Sequence, residues 1–395
     1  MRTLRHLAAA LAVATLLVVA AVAFALYDPT SGGARFLTSS QLIEPKPGTV
    51  AQAISTEPTV SLTDSPAMAA LAQRYQPTLL VSALDRFWPT SLVGLLGTRW
   101  SGHSTCLVSA GHCRVHDPGA FDLAGRSSAS DYLQFPAPVD SVEDTFHSAA
   151  RDLGVAASAM LAWPRRPAQL DPFASAQVYF FYLPRAPARA YPGVPRGLIS
   201  LEYWFYYPLN YFPLVRIPLE ALSDPIGSTL GNTDYHQGDL EHVAVLLDPK
   251  TMQPRYLWMA RHADEGQAYR WHSRSVQWSG DHASVYAALG SHASYSRCGI
   301  QRRIRTYLFI NDYVVCIPHQ TYAFTYLATP LVDLAHTPWA CWRGHLGQAG
   351  SGLLRTGVAF VPFETDGPTS PLLQQENFGS ACRVRPGTPK PPTPL

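Results

Sequence analysis

The part of the sequence that most constrains the fold is a closely spaced series of segments rich in aromatic and β-branched residues. Such segments are typical of β-strands, and turn residues such as those of DPKTMQP, ADEGQ and WSGD separate them. The intervals are too short for crossover helices, so the pattern predicts antiparallel pairing in a sandwich or barrel. The predicted strands are 176–183, 198–207, 241–248, 254–262, 268–272, 283–290, 305–310, 312–317 and 322–327.

Helices are predicted only on the N-terminal side of these strands. In DSPAMAALAQRYQP, Ser65 suits an N-cap and Pro66 suits the first helical position. Pro77 then ends the helix near Tyr75, because the residue before a proline disfavours helical geometry. A second helix is predicted over 141–160, with acidic residues in its first turn.

The N-terminal segment predicts export. Arg2 and Arg5 precede an apolar run from Leu7 to Leu26, which is long for a signal peptide and just long enough to span a bilayer. Small residues allow cleavage after about Ala25. We therefore expect a protein that is either secreted or anchored on the outer face of the cytoplasmic membrane.

These observations divide the 395 residues into four parts. A single domain of this length is large enough to bury a substantial core. The predicted parts are a signal peptide or transmembrane anchor (1–27), a flexible linker (28–62), a β-sandwich domain (63–382) with a helical N-terminal portion (63–170) and a strand-rich core (176–330), and a disordered Pro-rich tail (383–395).

The six cysteines are predicted to form disulfides, because an even number in an exported chain favours pairing. Sequence proximity favours Cys106–Cys113, Cys298–Cys316 and Cys341–Cys382. A zinc site is an alternative around the first pair, where histidines alternate with the cysteines, but the spacing fits no familiar ligand pattern. The histidines concerned are His103, His112 and His116.

The charge composition argues against a nucleic-acid partner. The formal net charge is +2, and the chain has no long run of Lys and Arg. The sequence also lacks a phosphate-binding loop and a dinucleotide-binding fingerprint. A polar small ligand is the expected kind of partner.

The candidate site begins at the segment YHQGDLEHVAVLL, where acids and histidines precede an apolar strand. If strands 241–248, 254–262, 268–272 and 283–290 form a simple meander, Glu241 lies opposite His262, and the last strand returns to the same edge. Gly238 would allow the kink that turns the first histidine toward the acids. Five side chains would then converge: His236, Asp239, Glu241, His262 and His292.

Such a set of side chains allows three interpretations. Mixed imidazole and carboxylate ligands suit a divalent cation, and without a metal a carboxylate–histidine pair orients a general base. Each residue taken alone is explained as well by a structural role, and His242, on the opposite face of the strand, is expected to be structural. The prediction of a site therefore depends on convergence.

Several segments resemble the vacuolar protein sorting-associated protein 62 family. They are LAQRYQPTLL, DRFWPTSL, EYWFYYPLNYF, HQGDLEHVAVLLD, GSHASY and TPWACWRGHLG, and the resemblance as a whole covers about Leu71 to Phe378. The hallmark of that family resembles His-x-Gly-Asp-Trp-Glu, and here Leu240 replaces its Trp. This resemblance implies a fold more readily than it implies a reaction.

A more distant resemblance is to the necrosis- and ethylene-inducing-like proteins. Those proteins are β-sandwiches that use a divalent cation to engage glycolipid head groups. Their heptad resembles Gly-His-Arg-His-Asp-Trp-Glu and implies His236, Asp239 and Glu241 as metal ligands here. Gly238 replaces the second histidine of that heptad, and Asp224 or Asp234 is the candidate for a further acidic ligand.

We therefore expect an exported, mainly β protein, an antiparallel β-sandwich with a few peripheral helices. Its leading function is binding of a glycan or lipid head group through a divalent cation held by His236, Asp239 and Glu241. The alternatives are a metal-dependent hydrolase acting on an ester or phosphoester, and a purely structural polar cluster. In the hydrolase, the catalytic candidates are Glu241, His262 and His292.

Overall fold

The computed structural model shows a mainly β protein built around two packed sheets. The structure describes residues 36–43, 66–135, 176–213, 232–302, 311–348 and 367–374, except 83–84, 86, 97–98, 101–102, 125–127, 187–189, 263–265, 320, 327–328 and 330. The predicted helix at 141–160, the predicted strand at 305–310, the apolar N-terminal segment and the C-terminal tail lie outside these residues. Within them, no helix has the length and apolar character needed to cross a membrane.

The first sheet has six strands in the order β11-β10-β9-β8-β7-β18. Its neighbours are antiparallel except for β18, which runs parallel to β7. The two central strands are unusually long, with 15 and 16 residues. The strands are β7 (Val178–Leu183), β8 (Ile199–Pro213), β9 (Asn232–Leu247), β10 (Pro254–Ala260), β11 (Gly266–Arg270) and β18 (Leu331–Asp333).

The second sheet follows the order β12-β13-β1-β17, and β14 also pairs with β13. Its central pair, β1 and β13, is parallel. The predicted four-strand meander is therefore wrong at its last step, because β13 leaves the first sheet and crosses to the second. The strands are β1 (Thr78–Ser82), β12 (Trp278–Ser279), β13 (His282–Ala287), β14 (Ser294–Tyr295) and β17 (Thr321–Phe324).

Short elements complete the described fold. The predicted helix that starts at Pro66 is confirmed as α1 (Pro66–Tyr75), followed by α2 (Leu92–Leu96) and α3 (Ala120–Ala124). Short 3-10 helices occupy Ser39–Gln41, Leu334–His336 and Pro338–Cys341. Small sheets contain β2 (Arg99–Trp100), β3 (His103–Ser104), β4 (Cys106–Ser109), β5 (His112–His116), β6 (Tyr132–Gln134), β15 (Gly299–Arg302) and β16 (Asn311–Val314).

The core lies between the two large sheets. Buried Tyr203 and Val245 of the first sheet pack in the same cluster as Leu79 and Val285 of the second. The other face of the first sheet packs through Trp204 against residues from the N-terminal portion and from 332–372. This layering confirms the predicted sandwich. Since side chains alternate along a strand, it also fixes which residues of β8 and β9 point between the sheets.

The register of β9 and β10 differs from the prediction by one residue. Tyr256 lies opposite Leu246 rather than Leu247, because a bulge follows Pro254. Continued toward the start of β9, this register would bring Arg261, and not His262, opposite Glu241. A one-residue shift moves a side chain to the other face of the sheet, so His262 must meet the site by another route.

Two of the predicted disulfides are confirmed, Cys106–Cys113 and Cys298–Cys316. Cys341 is also disulfide-bonded, and Cys382, its predicted partner, lies outside the described residues. The disulfide interpretation of the first pair is therefore preferred over zinc. Disulfides of this kind form outside the cytoplasm, which supports the predicted export.

Part of the predicted linker contacts the second sheet. Ile43 lies beside β17, where it donates its N–H to the Thr321 carbonyl (2.8 Å) and accepts from the Ala323 N–H (3.1 Å). Farther back, the Gln277 amide donates to the Leu37 carbonyl at 2.6 Å. This segment therefore lies against the β17 edge of the second sheet at Ile43 and reaches Gln277, just before β12, at Leu37.

Candidate functional site

The site is built on the start of β9, where Asp239 and Glu241 share the face that points between the sheets. Both follow the alternation of Val243 and Val245, which lie in the core between the sheets. Both are buried, with 8% and 7% of their surface exposed. Burying two neighbouring carboxylates at the end of an apolar core is unfavourable unless positive charges or hydrogen-bond donors offset their negative charges.

His292 supplies part of that compensation. Its Nδ1 donates to Asp239 Oδ2 at 2.8 Å, and its Nε2 lies 3.6 Å from Asp85 Oδ1. Burial would lower the pKa of His292, but the two carboxylates outweigh it and raise the pKa to about 9. His292 is thus an imidazolium at neutral pH, and the predicted convergence with Asp239 is confirmed, although β13 reaches the site from the opposite sheet.

Asp85 was not identified from the sequence. It follows β1 in the segment DRFWPTSL, and its carboxylate accepts from the backbone N–H groups of Phe87 (3.1 Å) and Gly290 (3.0 Å). These bonds tie the exit of β1 to the turn that carries His292. An acid directly after a buried strand, before Phe and Trp, was the available signal.

His262 joins the site through Asp312, a second acid that sequence reasoning missed. His262 Nε2 lies 2.7 Å from Asp312 Oδ2, and the hydroxyls of Ser291 (2.6 Å) and Tyr295 also donate to this carboxylate. Burial raises the pKa of Asp312, but His262 and the two hydroxyls outweigh it, and the pKa lies below its usual value. Asp312 therefore stays ionised.

Glu241 is the least compensated group of the set. Burial raises its pKa well above the ordinary value, and the charges of Asp239 and Asp312 raise it further. Its carboxyl group makes no hydrogen bond to another residue in the described ranges. A proton, a cation or a ligand donor would each relieve this position.

Tyr207 lies directly across from Asp239 on β8. Its ring stacks on the His292 imidazole, with centroids 3.9 Å apart. Its hydroxyl is buried and has no hydrogen-bond partner among the residues that the structure describes. Burial and the charges of Glu241, Asp85 and Asp239 raise the pKa of this phenol well above 10.

His236 is engaged elsewhere within the same strand. Its Nδ1 donates to the Gly238 carbonyl at 2.6 Å, and its Nε2 accepts from the Asn210 amide at 3.1 Å. Across the described part of the chain, no three His, Cys, Asp or Glu side chains lie together as a metal-binding group. The two carboxylates thus have the chemistry that suits a cation, whereas His236 would have to exchange its bond with Asn210 to join them.

Residues 237–238 of β9 touch the backbone of residues 346–348 at two glycines, a contact that we call the glycine crossing. Gly238 sits in a bulge with φ of +70°, and a Cβ there would overlap the Leu346 carbonyl. A Cβ on Gly347 would likewise overlap the Gln237 carbonyl. The Gln237 N–H donates to the Gln348 carbonyl at 2.9 Å. The glycines of HQGD and GHLG therefore let two backbones touch and fix the direction of the Asp239 side chain.

His242 lies on the opposite face of the sheet, as predicted. It stacks on Trp204 with centroids 4.3 Å apart, and its Nε2 is 3.9 Å from Glu202 Oε2. Burial lowers the pKa of His242 to about 3 and raises that of Glu202 well above its usual value. His242 is therefore neutral near pH 7, and the two groups form a separate polar pair outside the candidate site.

Comparisons with known proteins do not assign the chain to a family. No family model and no curated protein matches the chain. The predicted membership of the vacuolar protein sorting-associated protein 62 family is thus not supported by a family model and stays a prediction.

Among solved structures, the chain is similar to Necrosis and Ethylene inducing Protein 2 from the causal agent of cocoa's Witches Broom disease. The identity is 15% and the TM-score 0.27, over 68% of this chain and 73% of that chain. It is also similar to NLPPya in complex with mannosamine (14%, TM-score 0.29) and with glucosamine (14%, TM-score 0.28), each over 68% of this chain and 74% of that chain. At these low TM-scores, the similarity carries no conclusion about the fold or the ligand of this chain.

Proposed function

We propose that this protein is an exported β-sandwich that binds a glycan or lipid head group through a divalent cation held by Asp239 and Glu241. The observation that carries the proposal is the buried carboxyl group of Glu241. The negative charges of Asp239 and Asp312 act on it, and it makes no hydrogen bond to any other described residue. A cation between the two carboxylates would convert this unfavourable arrangement into a favourable one.

The donor chemistry favours a hard ion. Carboxylate oxygens suit Ca²⁺, Mg²⁺ or Mn²⁺, and such ions keep positions for water or ligand hydroxyls when the protein supplies few donors. Paired sugar hydroxyls fill such positions. His236 is adjacent in sequence and would add a nitrogen ligand only after releasing Asn210.

Cation titration of the full chain tests this proposal. The protein, with disulfides intact, is stripped with a chelator and titrated with Ca²⁺, Mg²⁺ and Mn²⁺ by calorimetry. We expect one ion per chain, and at least about tenfold weaker binding in both Asp239→Asn and Glu241→Gln, which corresponds to ~1.4 kcal/mol. Glucosamine and mannosamine, the ligands of the two complexes above, then serve as probes with and without the ion.

Glu202→Gln is the matched control. Glu202 is as buried as Glu241 and also has a raised pKa, but it lies on the other face of the sheet. Its replacement should leave cation affinity unchanged. If the unmodified protein binds none of the ions, or if Glu202→Gln weakens binding as much as Glu241→Gln does, the proposal is wrong. A purely structural cluster would lose melting temperature in Asp239→Ala and would not respond to chelation.

One observation favours the hydrolase alternative. Asp312 holds the His262 imidazole at 2.7 Å, and the His262 side chain is 15% exposed, so a carboxylate-oriented imidazole lies near the surface of the site. His292 is less suited to accept a proton, because two carboxylates keep it charged. A panel of esters and phosphoesters assayed with His262→Gln would test this function: turnover that the variant loses supports it, and turnover that is absent or unaffected contradicts it.

A further inference from the structure

We propose that the Tyr207 hydroxyl is a third oxygen donor of the cation site, together with Asp239 and Glu241. This inference rests on the proposed function and names a residue of a type that ligand patterns built from histidines and acids overlook. With this oxygen as a third ligand, a cation site would need only two carboxylates and no further acid or histidine from the described residues.

The position of Tyr207 is fixed by its backbone pairing and by its ring contact. Its backbone pairs with Asp239 across the β8–β9 ladder, so the two side chains leave the sheet on the same face. Its ring stacks on His292 with an interplanar angle of 9°, and His292 in turn is bonded to Asp239. The ring is thereby fixed on the face of the sheet that carries Asp239 and Glu241, and the charges of both carboxyl groups act on its hydroxyl.

The hydroxyl is unusual for a buried tyrosine of this strand. Tyr203, on the same face, donates to the Ala72 carbonyl at 2.8 Å, and Tyr206, on the other face, donates to the Leu346 carbonyl at 2.8 Å. Tyr207 is equally buried, yet its oxygen has no partner among the described residues. A buried hydroxyl without a partner is costly, and a bound ion or its water would satisfy it.

The surroundings of this oxygen indicate a cation rather than an anion. The charges of Glu241, Asp85 and Asp239 all act on the Tyr207 phenol. Against them stands one positive charge, the His292 imidazolium that stacks on the ring. Since the three acids outnumber it, an anion would be repelled, whereas a hard cation gains from the excess of negative charge. Neutral oxygen donors commonly complete the coordination of Ca²⁺ beside carboxylates.

Tyr207→Phe removes this one oxygen and keeps the ring that stacks on His292. We expect the metal-free variant to unfold at the same temperature as the unmodified protein or at a higher one, because no hydrogen bond is lost. We expect its Mn²⁺ and Ca²⁺ affinities, measured by calorimetry on the full chain, to fall by about tenfold, as for a lost bond to a charged group. Tyr203→Phe is the matched control, with unchanged cation affinity and a melting temperature lower by roughly 2 °C.

Two results would overturn this inference and leave the proposed function standing. The first is a cation affinity of Tyr207→Phe equal to that of the unmodified protein. The second is a loss of stability in metal-free Tyr207→Phe as large as the loss in Tyr203→Phe. The second result would show that the hydroxyl has a protein partner. Absence of Mn²⁺ and Ca²⁺ binding in the unmodified protein would instead overturn the proposed function, and this inference with it.

Discussion

Replacing His292 by Asn removes the positive charge that lies between Asp85 and Asp239. Asn suits the position because the backbone there has φ of +54°, which Asn tolerates better than most residues. The pKa of His292 is about 9 in the fold, against 6.5 for the ordinary group. At ~1.4 kcal/mol per unit of pKa difference, this shift corresponds to about 3 kcal/mol of stability. Loss of one partner from a buried ion pair costs about 3–5 kcal/mol, which agrees.

The sign of the pH dependence follows from the raised pKa. The contribution of His292 is fully present below about pH 6.5 and is lost as the pH rises through 9. Urea unfolding in chelator, followed by tryptophan fluorescence, should therefore show a difference between the two proteins of about 3 kcal/mol near pH 6 that becomes small near pH 10. A difference that stays constant over this range would refute the assignment of His292 as the internal cation.

Three further predictions concern the scaffold. Gly347→Ala should destabilise the protein by about 2–3 kcal/mol in urea unfolding, because its Cβ would overlap the Gln237 carbonyl; an unchanged midpoint would contradict the glycine crossing. Replacing both Cys298 and Cys316 by Ser should cost about 3 kcal/mol by the same assay, as expected for opening a loop of 18 residues. His242→Phe should reduce acid lability, because His242, with a pKa of about 3 against 6.5 for the ordinary group, must become charged when the chain unfolds in acid. The stability gained by the variant should grow as the pH falls below about 6.5 and reach about 3 kcal/mol near pH 4, and equal acid unfolding of both proteins would argue against a buried neutral imidazole.

Local patterns were sufficient to predict most of the described strands. The apolar run from Val243 to Leu247 and the turn DPKTMQP identified β9, β10 and their pairing, and Pro66 correctly marked the start of α1. The sandwich followed from short intervals between strands. The path of β13 did not, because the turn residues between β11 and β13 are compatible both with a hairpin and with a crossing to the opposite sheet.

The candidate site shows the same division between local and long-range information. Asp239 and Glu241 were identifiable because period-two alternation places them on one face of a strand. Asp85 and Asp312 were not, because they reach the site from other strands, and the Gly290 bond to Asp85 joins residues 205 positions apart. The bulge after Pro254 also shifted the register that the sequence suggested for His262.

The contact of residues 36–43 with β17 has a practical consequence for producing the protein. A shortened chain that begins at α1 would lose the bonds that Ile43 makes to Thr321 and Ala323. The free edge of β17 would then be available to the same edge of another molecule, the usual route to sheet-mediated aggregation. Recombinant material that starts at about residue 35 should therefore remain dispersed during size-exclusion chromatography, whereas material that starts at Pro66 should elute as higher assemblies.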